Sequence, residues 1–198
     1  MKFKKKGLFL TFEGPEASGK STQLKLLETY FKKQNISFLM TREPGGTLIA
    51  EKLRKIILDS KNNIKVTEEI LLLMASRLNH IENIIKPALS KNKIVISDRF
   101  ADSTFVYQGY VNNFGILQSM KLHKLILNNF LPNKTFLFLL SSNDIIKRLK
   151  NRKIYNKYDK KDLIFHKKVI AGYKKISKNN SRFINIDAKK SYHSIHDK

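Results

Sequence analysis

The sequence contains no cysteine among its 198 residues. A chain without thiols has no disulfide framework, no thiolate nucleophile and no thiolate metal site. No apolar run approaches the ~20 residues that span a membrane, and the run Leu8–Phe12 is too short for the core of a signal peptide. From these absences we expect a soluble enzyme of the cytoplasm.

Acidic residues are scarce as well. Sixteen Asp and Glu face 39 Lys and Arg, so the formal net charge is +23. Such a charge usually indicates nucleic acid or another anionic surface as the partner. Here the basic residues are spread along the chain and form no single stripe, which is typical of solvated lysine faces. The charge therefore predicts no specific nucleic-acid partner.

Arginine accounts for only seven of the basic residues. Because a planar guanidinium can hold two oxygens of one phosphate or carboxylate and a lysine cannot, the positions of the arginines are informative. The seven are Arg42, Arg54, Arg77, Arg99, Arg148, Arg152 and Arg182.

Short apolar runs alternate with helical patterns, without an internal repeat or a linker. Strands that alternate with helices imply parallel crossovers. We therefore expect one α/β domain over residues 1–198, with a doubly wound five-stranded parallel sheet and helices on both faces. The predicted strands are Leu8–Phe12, Ile36–Thr41, Lys93–Ser97, Thr135–Leu140 and Arg182–Ile186. The first predicted helix follows the loop Gly14–Ser21 and ends at about Gln34. The other predicted helices cover Ala50–Leu58, Thr67–Leu89 with Pro87 near its end, Leu117–Phe130, Asn143–Arg152 and Asp162–Ser177.

The stretch Gly14–Ser21 matches the phosphate-loop pattern G-x-x-x-x-G-K-[ST] at every position. It lies between a predicted strand and a predicted helix, where backbone N–H groups and the helix N-terminus bind phosphate. Lys20 is then expected on the outer phosphates and Ser21 on Mg²⁺. The sequence predicts binding of a nucleoside triphosphate; the alternative is a chance glycine loop at a strand end.

Glu13, Arg42 and Asp98 fall at the carboxyl ends of predicted strands. Ligands of doubly wound sheets bind at this edge, so we expect the site there. The histidines form no nucleophile–histidine–acid arrangement, and we predict surface or packing roles for them. They are His80, His123, His166, His193 and His196.

Four stretches together make the chain similar to a known family. They are Glu13–Thr22, Thr41–Thr47 (Thr-Arg-Glu-Pro-Gly-Gly-Thr), Ala75–Arg77, and Asp98–Phe100 with Ser103-Thr104 and Tyr107–Gly109. In this order and spacing the chain resembles the thymidylate kinases from about Leu8 to Asp187, and the helix with Phe165-His166 and Gly172-Tyr173 resembles the bacterial members.

The resemblance implies a P-loop NTPase fold with a lid at about residues 151–161. It implies transfer of the γ-phosphoryl group of ATP to dTMP, giving dTDP and ADP for dTTP synthesis. ATP and Mg²⁺ would be the cofactors, dTMP and ATP the substrates, and a homodimer the assembly, with no membrane partner.

The resemblance also implies site residues. Catalytic roles fall to Lys20, Asp98, Arg99 and Arg152. Contacts to ATP fall to Gly14, Pro15, Glu16, Ala17, Ser18, Gly19, Lys20, Ser21, Thr22 and Arg148. Contacts to dTMP fall to Glu16, Arg42, Leu73, Arg77, Arg99, Thr104, Tyr107 and Gln108, and metal ligation falls to Ser21 and Asp98.

Individual roles follow in the same way. Arg42 and Arg99 would clamp the acceptor phosphate, and Arg77 would read the thymine edge. Glu16 would face the 3′-hydroxyl, and Tyr107 would crowd the 2′ position. Each has a plainer alternative: Arg77 as a cation on a helix face, Asp98-Arg99 as an ion pair, Tyr107 as core, and Glu16 as a solvated acid.

Two positions depart from the family pattern. Leu73 stands where the family usually places a phenylalanine against thymine, so we expect weaker base stacking. Ala17 stands where some members carry a phosphate-loop arginine, yet residues 153–161 contain no arginine either. Lys157 matches the usual lid position, and Arg152 is the guanidinium we prefer for catalysis.

Three other functions stay open at this point. The chain could phosphorylate another nucleoside monophosphate or a deoxynucleoside. It could be a basic P-loop ATPase that binds nucleic acid, or a relic that binds nucleotides without turnover.

Overall fold

The computed structural model describes residues 7–150, 157–159 and 161–197. Its centre is a five-stranded sheet in the order β2-β3-β1-β4-β5, and every neighbouring pair of strands is parallel. The predicted class and parallel sheet are thereby confirmed. The strands are β1 Leu8–Glu13, β2 Phe38–Arg42, β3 Ile94–Asp98, β4 Lys134–Leu139 and β5 Phe183–Asp187.

Two π-helical segments, Ile81–Ile85 and Phe105–Val111, interrupt or extend the α-helices. Pro87 lies in the first turn of the short helix after Ile85, where its missing N–H is tolerated. The helices in the described part of the chain are α1 Lys20–Lys33, α2 Leu48–Leu58, α3 Val66–His80, α4 Lys86–Ser90, α5 Ala101–Thr104, α6 Ile116–Leu127, α7 Ser142–Lys150, α8 Leu163–Ser177 and α9 Tyr192–His196.

The sequence patterns predict no helix over residues 101–111 or 192–196, and the structure has helical segments in both places. Nearly every residue of 101–111 is buried. A helix that is buried on all sides has no polar face, so it shows no 3.6-residue hydrophobic period. The short α9 is too brief for a period to be read from the sequence.

The register of the sheet gathers three polar residues at one edge. Asp98 lies opposite Phe12 of β1 and opposite Arg42 of β2. Glu13 is the last residue of β1, from which the phosphate loop leaves the sheet. The three residues therefore lie at the carboxyl ends of their strands, as predicted, and the phosphate loop begins at the same edge of the sheet.

Helices cover both faces of the sheet, because successive side chains of a strand point to opposite sides. Phe9 of β1 packs with Met74 and Phe100 in one core. Phe12 packs with Phe31 and other apolar residues in a second core on the opposite face. Within the described residues, no helix has both the length and the apolar character needed to cross a membrane.

Candidate active site

The phosphate loop joins β1 to α1. Gly14 has a φ of 138°, and a Cβ at this position would lie 2.4 Å from the carbonyl oxygen of Phe138, so only glycine fits. Lys20 Nζ donates to the carbonyl oxygens of Gly14 at 3.1 Å and Pro15 at 2.7 Å. Burial, followed by the charge of Arg99, lowers the pKa of Lys20 to about 8. The loop thus holds a buried amine near its own carbonyls.

Two cavities adjoin at the sheet edge. The phosphate cavity, of about 1460 Å³ including open solvent, lies over the loop. The inner cavity, of about 420 Å³, shares six lining residues with it: Glu16, Glu43, Pro44, Leu58, Arg99 and Tyr158. The phosphate cavity is also lined by Ala17, Ser18, Gly19, Lys20, Ser21, Thr22, Arg42, Arg54, Asp98 and Arg148. The inner cavity is also lined by Leu73, Arg77, Phe100, Ser103, Thr104, Tyr107 and Gln108.

Arg99 lies where the two cavities meet. Its φ of 68° is in the left-handed region, which is uncommon for a residue with a Cβ. The guanidinium donates to the Gly14 carbonyl oxygen at 2.9 Å and to Glu16 Oε1 at 3.1 Å. Tyr107 Oη lies 2.7 and 2.8 Å from the two Glu16 carboxylate oxygens. Glu16 is therefore a buried, paired acid and not a solvated one.

Arg77 is buried in α3, with 2% of its surface exposed. Its Nε donates to Glu43 Oε2 at 2.7 Å, and its Nη2 donates to Thr104 Oγ1 at 2.8 Å. Among the described residues its Nη1 contacts only the Met74 sulfur, at 3.9 Å. The plainer alternative, a cation on a helix face, is wrong, because this side chain is buried and paired with Glu43.

Two further arginines line the phosphate cavity. Arg42 is exposed and forms a two-point pair with Glu51, at 3.1 and 2.9 Å, and this hydrogen bonding raises the pKa of Arg42. Arg54 donates to the carbonyl oxygen of Pro44 at 2.7 Å, and burial lowers its pKa. Sequence reasoning assigned no role to Arg54, and the scarcity of arginine was the signal available for it.

Glu13 is a second residue whose role the sequence did not reveal. It is fully buried and accepts hydrogen bonds from Phe100 N at 2.7 Å, Ser103 Oγ at 2.6 Å and Tyr173 Oη at 2.8 Å. Burial, followed by the charge of Asp102, raises the pKa of Glu13 to about 7. This carboxyl group ties the end of β1 to α5 and α8.

Gln108 belongs to a polar cluster on the far wall of the inner cavity. Glu69 Oε1 accepts from Gln108 Nε2 at 3.1 Å, from Lys157 Nζ at 2.9 Å and from Tyr158 Oη at 2.5 Å. The sequence predicted neither Glu69 nor Tyr158. The preferred catalytic Arg152 lies outside the described residues, as does most of the predicted lid.

Asp98 and Ser21 are the predicted metal ligands. Asp98 Oδ1 is buried without a hydrogen-bond partner among the described residues, and Ser21 lines the same cavity. In the described part of the chain no cluster of three or more His, Asp or Glu groups could hold a metal ion alone. A cation here would need additional oxygen ligands, which Mg²⁺ commonly takes from phosphates and water. The two residues fit such a cation.

Arg148 extends the site along the outside of the loop. It donates to the carbonyl oxygens of Ala17 at 3.2 Å and Ala188 at 2.9 Å, and so connects α7 to the segment after β5. Beside it lies an outer cavity of about 720 Å³, lined also by Thr22 and Tyr192.

A family model described as thymidylate kinase matches residues 12–198. The chain belongs to the thymidylate kinase family. It is similar to the thymidylate kinase of Mycoplasma capricolum, with 43% identity over 96% of this chain and 91% of the relative. The thymidylate kinase of Caldanaerobacter subterraneus is 40% identical over 96% and 92%, and that of Thermosipho africanus is 39% identical over 95% and 93%.

Most residues predicted from the thymidylate kinase resemblance line one of the two cavities, and two loop residues do not. Gly14 and Pro15 do not line the phosphate cavity, and their carbonyl oxygens accept hydrogen bonds from Lys20 Nζ. The remaining loop residues line it. Leu73, where the family usually has phenylalanine, is buried and lines the inner cavity with the other predicted base-side residues. The roles of these residues remain predictions.

The histidines differ in their surroundings. His80 and His123 are fully buried, and His80 contacts Glu43 and Thr41. His166 is also fully buried, and its Nδ1 lies 3.9 Å from Glu16 Oε2. Sequence reasoning treated all of them as packing or surface residues, and it missed the connection of His80 to the site.

Proposed function

We propose that this chain transfers the γ-phosphoryl group of ATP to dTMP, giving dTDP and ADP, which serves dTTP synthesis. Membership of the thymidylate kinase family supports this reaction. The observation that carries the proposal is Arg99, which lines both cavities. A triphosphate on the phosphate loop and a monophosphate in the inner cavity would bring their phosphates together at this guanidinium.

The chemistry requires positive charge and alignment more than proton transfer. The attacking oxygen of dTMP is already ionised, so a general base is unnecessary, and the two anions repel each other. We propose that Lys20 leaves the loop carbonyls to hold the transferring phosphoryl group. Arg42 and Arg99 would clamp the acceptor phosphate, with Arg54 as a further cation on the same wall.

The inner cavity would hold the thymidine part of dTMP. A guanidinium carries only donors, so Arg77 Nη1 would favour the 4-oxo group of thymine over the 4-amino group of cytosine. Thr104 and Gln108 would complete this wall. Glu16 would accept from the 3′-hydroxyl, and Tyr107, packed beside it, would crowd a 2′-hydroxyl.

The donor side combines ATP with a cation. We propose that the ATP phosphates bind the phosphate loop and that its nucleoside occupies the outer cavity beside Arg148. Asp98 and Ser21 would hold Mg²⁺, which neutralises phosphate charge when bound. The support for this assignment is Asp98 Oδ1, which is buried and has no hydrogen-bond partner within the described part of the chain.

Residues 1–198 would form one kinase domain with its lid at about 151–161, working in the cytoplasm as a homodimer. Leu71 and Leu78 of α3 are 51% and 40% exposed and share a helix face. We propose this face as the contact between two copies. Light scattering should give a dimer for the wild-type chain and a monomer for Leu71→Lys combined with Leu78→Lys; a monomeric wild-type chain would contradict the proposal.

A coupled assay of ADP release tests the reaction. With ATP and Mg²⁺, we expect turnover with dTMP to exceed turnover with dUMP, dCMP, dGMP or thymidine. Preference for another acceptor would replace dTMP in the proposal. ADP release that requires DNA and no monophosphate would support a nucleic-acid ATPase instead.

A further inference from the structure

Two of the three guanidinium nitrogens of Arg77 already have oxygen acceptors. Nε donates to Glu43 Oε2 at 2.7 Å, and Nη2 lies 2.8 Å from Thr104 Oγ1 and 3.4 Å from the Phe100 carbonyl oxygen. Nη1 has only the Met74 sulfur among the described residues. Since a guanidinium is rigid and planar, these two anchors decide which nitrogen is left for a ligand.

The second carboxylate oxygen of Glu43 contacts a buried histidine. Its Oε1 lies 3.0 Å from His80 Nδ1, and His80 Nε2 lies 2.7 Å from Thr41 Oγ1. Glu43 is 3% exposed and His80 is 0% exposed. One neutral tautomer satisfies every contact, because Nδ1–H donates to Glu43 while Nε2 accepts from the Thr41 hydroxyl. Thr41, His80, Glu43 and Arg77 therefore form one buried hydrogen-bonded chain.

The loop after β2 leaves space for this hydrogen-bonded chain at Gly46. A Cβ on Gly46 would lie 2.6 Å from the His80 ring and 2.7 Å from Thr41 Oγ1. Only glycine leaves room for the imidazole here. The stretch Thr41–Thr47, which sequence reasoning connects with the acceptor phosphate, thus also reaches the base side of the site through Glu43.

We propose that Glu43 and His80 are positioning residues that orient Arg77, and that they set the preference for a 4-oxo pyrimidine over a 4-amino pyrimidine. The proposal rests on the proposed function, since it assumes that Arg77 reads the nucleobase. A guanidinium released from Glu43 can rotate about its last torsions. It then no longer presents a fixed donor to the 4-oxo group, and it no longer rejects an amino group as strictly.

The test compares three acceptors in steady-state kinetics. dUMP and dCMP differ at position 4 of the base and in the proton on N3, whereas dTMP and dUMP differ only in the 5-methyl group. In Glu43→Gln and His80→Leu we expect the KM for dTMP to rise about 10- to 100-fold, the range for loss of a hydrogen bond to a charged group. The preference for dUMP over dCMP should fall by a similar factor. In His80→Leu the kcat for dTMP and the KM for ATP should stay within about two-fold, because His80 lines neither the phosphate cavity nor the inner cavity.

Conservative and control variants separate positioning from folding. His80→Asn keeps a donor for Glu43 Oε1 and should restore most of the preference lost in His80→Leu. His123→Leu is the matched control. It removes another fully buried histidine, whose Nε2 lies 2.9 Å from the Phe130 carbonyl oxygen. This control should lower the Tm and leave the base preference unchanged.

Thr41→Val keeps the test decisive if the other variants fail to fold. It removes only the hydroxyl group at the Thr41 end of the hydrogen-bonded chain, so the preference for dUMP over dCMP should fall less than in His80→Leu. Thr41→Ser keeps the hydroxyl group and should retain the preference. Folded variants with wild-type preference would overturn the proposal. So would a uniform loss of kcat with every acceptor, which is the result of a purely structural role.

Calorimetric titration with dTMP distinguishes this inference from the proposed reaction. A wild-type chain that binds dTMP without turning it over would overturn the reaction only, and the variants would then be compared by their Kd for dUMP and dCMP. A wild-type chain that binds no dTMP would overturn both.

Discussion

At the scale of single residues, two acids of the site are paired with arginines before any substrate arrives. Glu16 pairs with Arg99, and Glu43 pairs with Arg77. Leaving one such charge unpaired in the interior would cost several kcal/mol. A substrate group that binds at either pair must therefore replace an existing partner or add to it.

Leu73 gives the first prediction at this scale. Leu73→Phe should lower the KM for dTMP about 5- to 30-fold, because an aromatic face against a base contributes ~1–2 kcal/mol. Steady-state kinetics with ATP held at saturation measures this change. Leu73→Met, of similar volume but without a ring, is the matched control and should keep the wild-type KM. An unchanged KM in Leu73→Phe would count against the thymine pocket.

Lys20 gives a pH dependence. Folding lowers its pKa from 10.5 to about 8, so the unfolded chain holds more protons between these values. The contribution of Lys20 to the free energy of unfolding therefore rises with pH in that window. Bound phosphates favour the charged amine, so ATP binding should take up a proton above pH 8.

We expect the Kd for ATP to rise by up to about tenfold per pH unit above pH 8, the limit for uptake of one proton. Calorimetric titration at several pH values, in two buffers of different ionisation enthalpy, measures both the Kd and the proton. Lys20→Met should bind ATP weakly and lose this proton uptake. A wild-type Kd that is flat from pH 7 to 9.5 would contradict the assignment.

At the scale of elements, the site depends on segments that meet only in the folded chain. β1 supplies Glu13, and the turn after β3 supplies Arg99. α8 supplies Tyr173, which contacts both of these residues. The helical stretch 101–111 contributes four residues to the wall of the inner cavity, Ser103, Thr104, Tyr107 and Gln108, and its burial positions them together.

The lid gives a prediction at this scale. Arg152→Ala should lower kcat about 10²- to 10³-fold, the usual effect of losing a transition-state cation. Lys157→Ala should lower kcat less than about tenfold, because the Lys157 ammonium already pairs with Glu69 at 2.9 Å. Single-turnover kinetics compares the two. The reverse order of effects would make Lys157 the catalytic cation.

At the scale of the whole molecule, one ion pair connects the β4–β5 side of the sheet to α5, which carries two residues of the inner cavity. Arg182, next to β5, donates to both Asp102 carboxylate oxygens at 2.7 Å, and Asp102 lies in α5. Thr135 of β4 contacts both partners. Asp102 is 1% exposed, and Arg182 is the cation that pairs with it.

Arg182→Met should lower the free energy of unfolding by about 3 kcal/mol, because it leaves a buried carboxylate without its partner. Urea denaturation measures this change. Lys32→Met breaks the exposed Lys32–Glu28 pair and should change stability by at most about 1 kcal/mol. Equal losses of unfolding free energy in the two variants would show that the Arg182–Asp102 pair stabilises the fold no more than an exposed pair does.

The sequence alone determined the parallel sheet, the phosphate loop and the family. These depend on local patterns, namely apolar runs, glycine spacing and the order of motifs, which are present before the chain folds. It also located most residues of the two cavities, because the motifs carry them at fixed positions.

Only the tertiary structure decided how those residues are paired. Glu13, Glu43, Glu69 and His80 gain their roles from partners 34 or more residues away, at distances that no periodicity encodes. The helical stretch 101–111 escaped prediction for a related reason, since burial on all sides removes the polar face that marks a helix. Local chemistry specifies which groups are available, whereas the register of the sheet and the packing of helices on it decide which groups meet.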